Sequence, residues 1–260
     1  REYRQQITVE QPSPANDRTL SLTPQGYVGY IPLSPDLALH LQSKVPLDSV
    51  FGMLEWAYDH KLQMLEDALQ CQSLREFYER LAVILAKRVL NRGRKGFYRD
   101  YVGHEEDLPY VRGRLDIGQT ARRPWAAKPH CAYQEHTADL AENQILAWTL
   151  MLVSRAGLQR DDARQVVRQA NRKLQAACAL LPFSGPDCAD RLYNRLNEDY
   201  RPLHALCRFF LDHTGPTHRL GNHSMLPFLI EMPHLYEAFV ANWLAAHLDP
   251  TQWRLATQER

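Results

Sequence analysis

The chain has 260 residues, of which 45% are hydrophobic and 23% charged, and its formal net charge at pH 7 is +1. This is the composition of an ordinary globular protein, which argues against a disordered or fibrous chain. No run of about 18 apolar residues is present, so we expect no transmembrane helix. The five cysteines form an odd number without a CxxC pair, which predicts reduced thiols and a cytoplasmic location rather than a disulfide framework.

The N-terminal part, residues 1–47, is predicted to be a small antiparallel β domain. Short segments rich in β-branched and aromatic residues alternate there with Pro, Gly, Asn and Asp turn signals. The predicted strands are Gln5–Glu10, Thr19–Thr23, Tyr27–Leu33 and Leu37–Val45.

The middle of the chain, residues 48–224, is predicted to be mainly helical. Apolar residues recur there at the spacing of one helix face, and Ser73 with Glu76 has the spacing of a capping box. Gly93 and Gly96 are expected to break the helix that begins at Ser73. The first predicted helix begins at Asp48 or Ser49. The later ones are Ser73–Asn91, Ala138–Arg155, Asp161–Leu181 and Asn197–His213.

A short β insertion is predicted within this helical region, around residues 97–136. Its strands are Phe97–Val102, Tyr110–Ile117 and His130–Gln134, with a basic loop at Arg122–Lys128. Together with the N-terminal strands, this pattern predicts the α+β fold class.

The last part, residues 225–260, is predicted to begin a further domain. A polar loop at His213–His223 precedes it, and a helix over about Pro233–Leu248 follows, with proline in its first turn. A final strand is expected at Gln252–Thr257.

The sequence contains no motif for binding a nucleotide. There is no GxxxxGK(S/T) segment, and the run from Gly93 to Gly96 follows a helix rather than a strand, which is typical of a helix end and turn. We therefore predict no cofactor for this chain and assign any nucleotide hydrolysis to a partner.

Zinc-type side chains occur close together in sequence, but a metal site is not predicted. Their number and types suit zinc, yet the helix around Cys207 also supplies apolar residues, so Cys207 is expected to be a small core side chain. The later histidines are irregularly spaced in a loop. The candidate residues are His204, Cys207, His213, His218 and His223.

A complete metal-dependent nuclease centre is not predicted either. The only (D/E)xK triplet, Asp59-His60-Lys61, falls on an amphipathic helix, where side chains two positions apart point to different faces. Pro35-Asp36 and Pro186-Asp187 are typical of turns.

Two basic regions are candidates for contact with phosphates or with an acidic partner. Ten basic and five acidic residues lie between Arg88 and Lys128, and among the basic ones we select Arg92, Arg94, Lys95, Arg112 and Arg114. A second region has an arginine every four residues on one predicted helix, a spacing that could track a phosphate backbone. The alternative is a solvated helix face. These residues are Arg160, Arg164, Arg168 and Arg172.

Several stretches, taken in order, resemble the McrC family, the nuclease subunit of GTP-dependent, modified-cytosine-specific restriction systems. Each stretch is weak alone, and their order and spacing carry the resemblance over nearly the whole chain. The stretches are Gly26–Gly29, Val50–Tyr58 (VFGMLEWAY), Tyr110–Ile117 (YVRGRLDI), Cys131–Leu146 (CAYQEHTADLAENQIL) and Phe228–Val240 (FLIEMPHLYEAFV).

The resemblance implies a β-rich N-terminal part, a helical middle and a C-terminal PD-(D/E)xK nuclease domain that requires Mg²⁺. It also implies docking on a hexameric AAA+ GTPase of the McrB type, which binds GTP, recognises the modified base and hydrolyses GTP faster when docked. The sequence ends at Arg260 without counterparts of the metal-binding residues, so this chain alone is not expected to cut DNA.

Further residue predictions follow from the resemblance and its motifs. Glu237 stands where nucleases of this fold place an accessory acidic residue; the alternative is a solvent-facing helix glutamate. Gly113 is expected to allow close backbone approach, and Arg112 or Arg114 is hypothesised to reach the GTPase. The pair Asp139 and Asn143, one turn apart at the start of a helix, is expected to be a cap and a polar anchor in the core.

A different class of function also fits the residues. The chain could be a non-catalytic nucleic-acid-binding or scaffolding protein that acts only through its basic surfaces. That alternative predicts DNA binding by the isolated chain that weakens steeply as salt is raised.

Overall fold

The structure is a computed structural model, and all statements below concern the residues it describes. These are residues 6–11, 20–34, 37–58, 71, 73–123, 125–126, 128–213, 218–220, 223–225, 228–249 and 253. The triplet Asp59-His60-Lys61, the dipeptide Pro35-Asp36 and nearly all of the predicted strand Gln252–Thr257 lie outside them.

Four helices build the centre of the fold: α2 (Leu74–Lys95), α4 (Ala141–Arg155), α5 (Asp161–Gln175) and α6 (Arg201–His213). α2 packs on α5, and α4 packs on both α5 and α6. Their apolar faces meet in one hydrophobic cluster, whose fully buried members include Phe77, Leu81, Leu85, Ile145, Val167, Leu174, Phe209 and Phe210.

The start of α2 confirms the predicted cap, whereas its end lies further along the chain than predicted. The Ser73 hydroxyl accepts a 3.2 Å hydrogen bond from the backbone N–H of Glu76. The expectation that Gly93 breaks this helix is wrong, because α2 continues through Gly93 to Lys95. The missing side chain at Gly93 instead makes room for Lys173 of α5.

Two other helix predictions differ from the structure at their ends. α5 stops at Gln175 rather than Leu181. The segment predicted as Asn197–His213 divides into a 3-10 turn, Glu198–Tyr200, and α6, which has proline in its first turn.

A three-stranded antiparallel sheet joins the N-terminal and C-terminal parts of the chain. Its strand order is β10 (Phe228–Glu231), β3 (Tyr27–Ser34) and β4 (Leu37–Leu41). At Gly29, φ is +140° and an added Cβ would lie 2.1 Å from the carbonyl oxygen of Phe228, so the pairing of β3 with β10 requires glycine there. Strand pairing thus crosses the predicted boundaries at residues 47 and 224.

The other N-terminal and C-terminal elements pair with or pack against one another. β1 (Ile7–Glu10) pairs with β2 (Ser21–Pro24), and α1 (Leu47–Ala57) packs against α7 (Met232–His247). The prediction of a loop from residue 213 to residue 223 is wrong in part, because two paired strands, β8 (His218–Leu220) and β9 (His223–Met225), begin there.

A second three-stranded sheet, which we call the β arm (residues 100–137), interrupts the helices. Its strands are β5 (Asp100–Asp107), β6 (Arg114–Leu115) and β7 (His130–Thr137), and β7 lies in the middle. The predicted strand Tyr110–Ile117 is shorter, because Asp116 caps a short helix, α3 (Ile117–Arg122). Among the described residues, none in the arm belongs to the main hydrophobic cluster.

The structure confirms the α+β fold class, with small antiparallel sheets around a mainly helical centre. All five cysteines are free and buried. None of the helices in the described ranges is long and apolar enough to cross a bilayer.

Candidate partner and nucleic-acid interface

In the β arm, Arg112 and Arg114 lie on either side of Gly113, a position whose backbone conformation and close contacts permit only glycine. At Gly113, φ is +68°, and an added Cβ would lie 2.5 Å from the carbonyl oxygen of Ala132 and 2.6 Å from Cβ of Tyr133. The prediction that Gly113 allows close backbone approach is therefore confirmed.

The two arginines beside Gly113 differ in how they are held. The guanidinium carbon of Arg112 lies 3.9 Å from the centre of the Tyr133 ring, and a terminal nitrogen lies 3.9 Å from Glu135. Stacking on an aromatic ring orients a guanidinium. Arg114 is exposed, and no described acidic residue forms an ion pair with it. Arg114 is thus the freer of the two to contact another molecule.

The arm also exposes large apolar side chains, which is unusual for a surface that stays in water. Their exposed fractions range from 58% to 80% of the side chain's free area. They are Tyr101, Tyr110, Val111, Ile117 and Trp125.

A ladder of polar contacts orders the arm on the face that carries Arg112. Tyr133 stacks on His104 with ring centres 5.3 Å apart, and its hydroxyl donates to the Glu106 carboxylate. This hydrogen bond to Glu106 raises the pKa of the Tyr133 phenol. The ladder fixes the ring on which the Arg112 guanidinium rests.

The base of the arm is tied to the helical centre through the buried Asn143 of α4. Its side-chain amide donates to the carbonyl oxygens of Tyr98 (2.9 Å) and Ala138 (2.7 Å). These residues stand just before β5 and just after β7, so one side chain holds both ends of the arm. The prediction of a polar core anchor is confirmed at Asn143. The prediction of a cap at Asp139 is wrong, because α4 follows Leu140 without a side-chain cap and Asp139 accepts from the backbone N–H of Ala179.

The basic residues at the end of α2 have different environments. Arg92 donates to Asp199 (3.2 Å) and lies 5.2 Å from the centre of the Tyr200 ring, so it is a contact within the protein. Arg94 donates only to the neutral side chain of Asn91, and Lys95 is exposed. Arg94 and Lys95 therefore remain accessible to an outside partner.

Arg160, which directly precedes α5, and the three arginines of α5 form two groups: two have acidic partners and two are accessible. Arg160 forms two hydrogen bonds to Asp162, which raise the pKa of the Arg160 guanidinium, and Arg164 donates to Asp161. The other two, Arg168 and Arg172, are exposed. Together with Arg164 they lie on one face of α5, which also carries Asp161, Gln165 and Asn171.

Sequence reasoning missed Lys173, which lies against the end of α2. Its Cε stands 2.8 Å from the position that a Cβ on Gly93 would occupy. The only signal in the sequence was the glycine within an otherwise strong helical pattern, since such a position often marks close approach of another element.

Glu237 lies on the exposed side of α7. Among the described residues, no group of three His, Cys, Asp or Glu side chains could hold a metal ion. The residues around Glu237 therefore do not fit the Mg²⁺ that a nuclease core would need, and we derive no catalytic step from them.

The candidate zinc residues that the structure describes have contacts of their own. His204 uses one ring nitrogen with the Tyr193 hydroxyl (2.8 Å) and the other with the carbonyl oxygen of Glu142 (3.0 Å). Cys207 is fully buried, so the prediction of a core side chain is confirmed. His213 bonds to the Tyr58 hydroxyl and to the carbonyl oxygen of Leu229. The side chains of His218 and His223 lie outside the described part.

The fold is shared with chains of solved McrBC assemblies. A chain of the Thermococcus gammatolerans McrBC complex superposes with a TM-score of 0.55 at 18% identity, covering 90% of this chain and 69% of that one. A second match has a TM-score of 0.55 at 19% identity and covers 93% of this chain and 57% of the other. It comes from the refined half-complex of a tetradecameric assembly of Thermococcus gammatolerans McrB AAA+ hexamers with bound McrC.

The sequence comparisons identify the family. The type IV methyl-directed restriction enzyme EcoKMcrBC of Escherichia coli (strain K12) is 23% identical over 205 residues. That match covers 76% of this chain and 58% of the relative's length. The family model "McrBC 5-methylcytosine restriction system component" matches residues 22–260, so the chain belongs to this family. The resemblance to McrC noted in the sequence is confirmed.

Proposed function

We propose that this chain is the subunit of a GTP-dependent restriction endonuclease that docks on a hexameric AAA+ GTPase in the cytoplasm and stimulates its GTP hydrolysis. The proposal places recognition of modified cytosine and GTP binding in the partner, and the DNA-cleaving PD-(D/E)xK domain with its Mg²⁺ outside these 260 residues. Its support from the comparisons is the fold shared with the McrC-containing half-complex.

The β arm is the surface we assign to docking, and its exposure is the observation that carries the proposal. Protein interfaces are built around large apolar and aromatic side chains, with arginine among the enriched residues. Ile117 and Trp125, exposed by 72% and 80%, supply such side chains in the same arm that carries Arg112 and Arg114.

The geometry suggests separate roles for the two arginines. Arg112 is held on the Tyr133 ring and near Glu135, so it helps to order the arm. Arg114 is exposed, which suits a guanidinium that reaches another molecule. An arginine supplied in trans can stabilise the charge that develops on the phosphates during GTP hydrolysis.

The experiment mixes the chain with the AAA+ GTPase encoded beside it and measures GTP turnover and co-elution. Wild-type chain should co-elute with the hexamer and raise turnover without cutting DNA. Arg114→Ala should abolish most of the stimulation, and Arg112→Ala should weaken docking. Arg168→Ala, an exposed arginine on α5, is the matched control and should behave as wild type.

The outcomes separate the parts of the proposal. If wild-type chain neither co-elutes nor raises turnover, the docking function is wrong. If Arg112→Ala and Arg114→Ala both dock and stimulate normally, the β arm is not the contact surface. Loss of stimulation with retained co-elution by Arg114→Ala would support an arginine acting in trans.

A nucleic-acid-binding or scaffolding protein is the second candidate function. The exposed Arg168 and Arg172, without described acidic partners, favour it. Salt-sensitive DNA binding by the isolated chain, with no effect on GTP turnover, would support this alternative over the first.

A further inference from the structure

The C-terminal ends of α2 and α5 lie side by side and bring their basic residues together. Near the start of both helices, Glu79 of α2 accepts from the backbone N–H groups of Gln159 and Arg160. Near their ends, Lys173 of α5 lies against Gly93 of α2. The two helices therefore run in the same direction, and their last turns are neighbours. We call five cations the basic end: Arg94 and Lys95 in the last turn of α2, Arg172 and Lys173 in the last turn of α5, and Arg168 one turn before them.

The basic end has no neutralising partner in the part of the chain that the structure describes. No ion pair joins any of its five members to another described residue. The acidic residues of α5, Asp161 and Asp162, lie at the opposite end of that helix, where they pair with Arg164 and Arg160. Like charges held close together create a positive potential that attracts a polyanion.

The composition of this surface favours a phosphate backbone over an acidic protein. No large hydrophobic side chain described on α2 or α5 is exposed, whereas protein interfaces have an apolar centre. Arg168 and Arg172 are one helical turn apart, roughly 6 Å along the axis. Phosphates on one strand of a DNA duplex advance about 3.4 Å per step, so one turn of the helix spans about two steps.

We propose that the basic end binds the sugar–phosphate backbone of duplex DNA without reading its sequence. Contacts to phosphates position a protein on DNA and carry no sequence information of their own. In a restriction subunit, such a surface would hold DNA beside the docked GTPase. The inference does not depend on docking, because it rests on the charge of these five residues and on the exposure of four of them, Lys173 being half-buried.

Fluorescence anisotropy of the whole chain with a labelled 20-base-pair duplex tests the proposal. Wild-type affinity should fall steeply between about 50 and 200 mM salt. Arg168→Gln with Arg172→Gln should lower affinity at least about tenfold at the lower salt and reduce the slope of log affinity against log salt by about 1.8, near 0.9 for each lost contact. A second pair, Lys95→Gln with Lys173→Gln, should reduce the slope similarly.

The matched control is Lys87→Gln with Arg155→Gln, which removes the same charge from exposed positions on α2 and α4 but leaves the basic end intact. Its slope should change by less than about 0.5. Equal losses in the control and in Arg168→Gln/Arg172→Gln would show that only net charge matters and would overturn the proposal. Circular dichroism checks folding, and if the α5 pair unfolds, the Lys95→Gln/Lys173→Gln pair decides.

Competition identifies the class of polyanion. Unlabelled duplex should displace the probe far better than polyglutamate or single-stranded RNA of equal charge. Equal competition by polyglutamate would indicate an acidic protein, and preference for the single strand would indicate RNA. Either result, or no measurable wild-type binding at about 50 mM salt, would overturn the assignment to duplex DNA.

Discussion

The Tyr200 hydroxyl donates a 2.7 Å hydrogen bond to the side-chain oxygen of Asn143, and both residues are buried. The same hydroxyl accepts a 2.9 Å hydrogen bond from the backbone N–H of Tyr98. Because the Asn143 amide also holds the carbonyl oxygens before and after the β arm, this pair connects the arm to α4 and to the turn that precedes α6.

Replacing Asn143 should destabilise the protein and loosen the arm. Asn143→Ala leaves the Tyr200 O–H without its acceptor and the Tyr98 carbonyl oxygen without the side-chain amide that donates to it, and each unsatisfied group costs about 1–3 kcal/mol. We expect a loss of about 3 kcal/mol in the free energy of unfolding, measured in urea. Hydrogen exchange in residues 100–137 should also accelerate, whereas the exposed Gln169→Ala should change neither quantity.

Glu79 contributes to stability through the backbone that enters α5. Its buried carboxylate accepts from the N–H groups of Gln159 and Arg160 at 2.5 and 3.3 Å. Glu79→Ala leaves both donors without this acceptor and should lower the free energy of unfolding by about 2–3 kcal/mol.

Glu79→Gln tests whether charge or shape matters at this position, because its amide oxygen still accepts hydrogen bonds. It should cost about half as much as Glu79→Ala, since hydrogen bonds to charged groups are roughly twice as strong as neutral ones. Lys87→Ala, at an exposed position, is the surface control on the same helix. A Glu79→Ala protein as stable as wild type would contradict the assigned role.

The local features of this chain were predictable, and its long-range contacts were not. Ser73 and Glu76 predict the start of α2, because a capping box depends only on residues three positions apart. The pairing of Gly29 with Leu229 joins strands from opposite ends of the chain, which no local pattern reveals. Similarly, Arg92 belongs to the basic cluster by sequence, yet its charge is met by Asp199.

Two buried histidines predict a loss of stability in mild acid. Burial lowers the pKa of His204 and of His213 to about 4, against about 6.5 in the unfolded chain. Between these values the unfolded state binds more protons, so the stabilising contribution is complete above about pH 6.5 and falls as the pH drops toward 4. Each histidine contributes up to about 3 kcal/mol to this loss.

Urea unfolding at about pH 7.5, 6 and 5 measures this dependence. Burial raises the pKa of Asp212. Protonation of this carboxyl group as the pH falls favours the folded state and so opposes the effect of the histidines. The measurements above about pH 5 are therefore the more informative. His204→Gln should be less stable at neutral pH but should show a shallower decline in acid. The exposed His136→Gln should retain the wild-type slope, and a wild-type slope in His204→Gln would contradict this assignment.

The thiols should be unreactive while the protein is folded. Burial raises the pKa of Cys178 and of Cys188 to about 12, so neither forms appreciable thiolate near pH 8. Native protein should therefore react slowly with a disulfide reagent, and all five cysteines should react rapidly in guanidinium chloride. Fast labelling of Cys178 or Cys188 in folded protein, located by mass spectrometry, would show that these thiols are open to solvent.

Gly113→Ala tests whether the conformation of the β arm matters when the side chains of Arg112 and Arg114 are unchanged. The added methyl group would stand 2.5 Å from the carbonyl oxygen of Ala132 at a φ of +68°, so β6 must move away from β7. Both arginines would then lose their positions, although neither is changed. We expect a loss of about 2 kcal/mol of local stability and a loss of GTPase stimulation comparable to that of Arg114→Ala.

Gly103→Ala, in the same arm with open space around the added methyl, is the matched control. Wild-type stimulation by Gly113→Ala would show that the placement of Arg112 and Arg114 is irrelevant to the partner, even if the arm still docks.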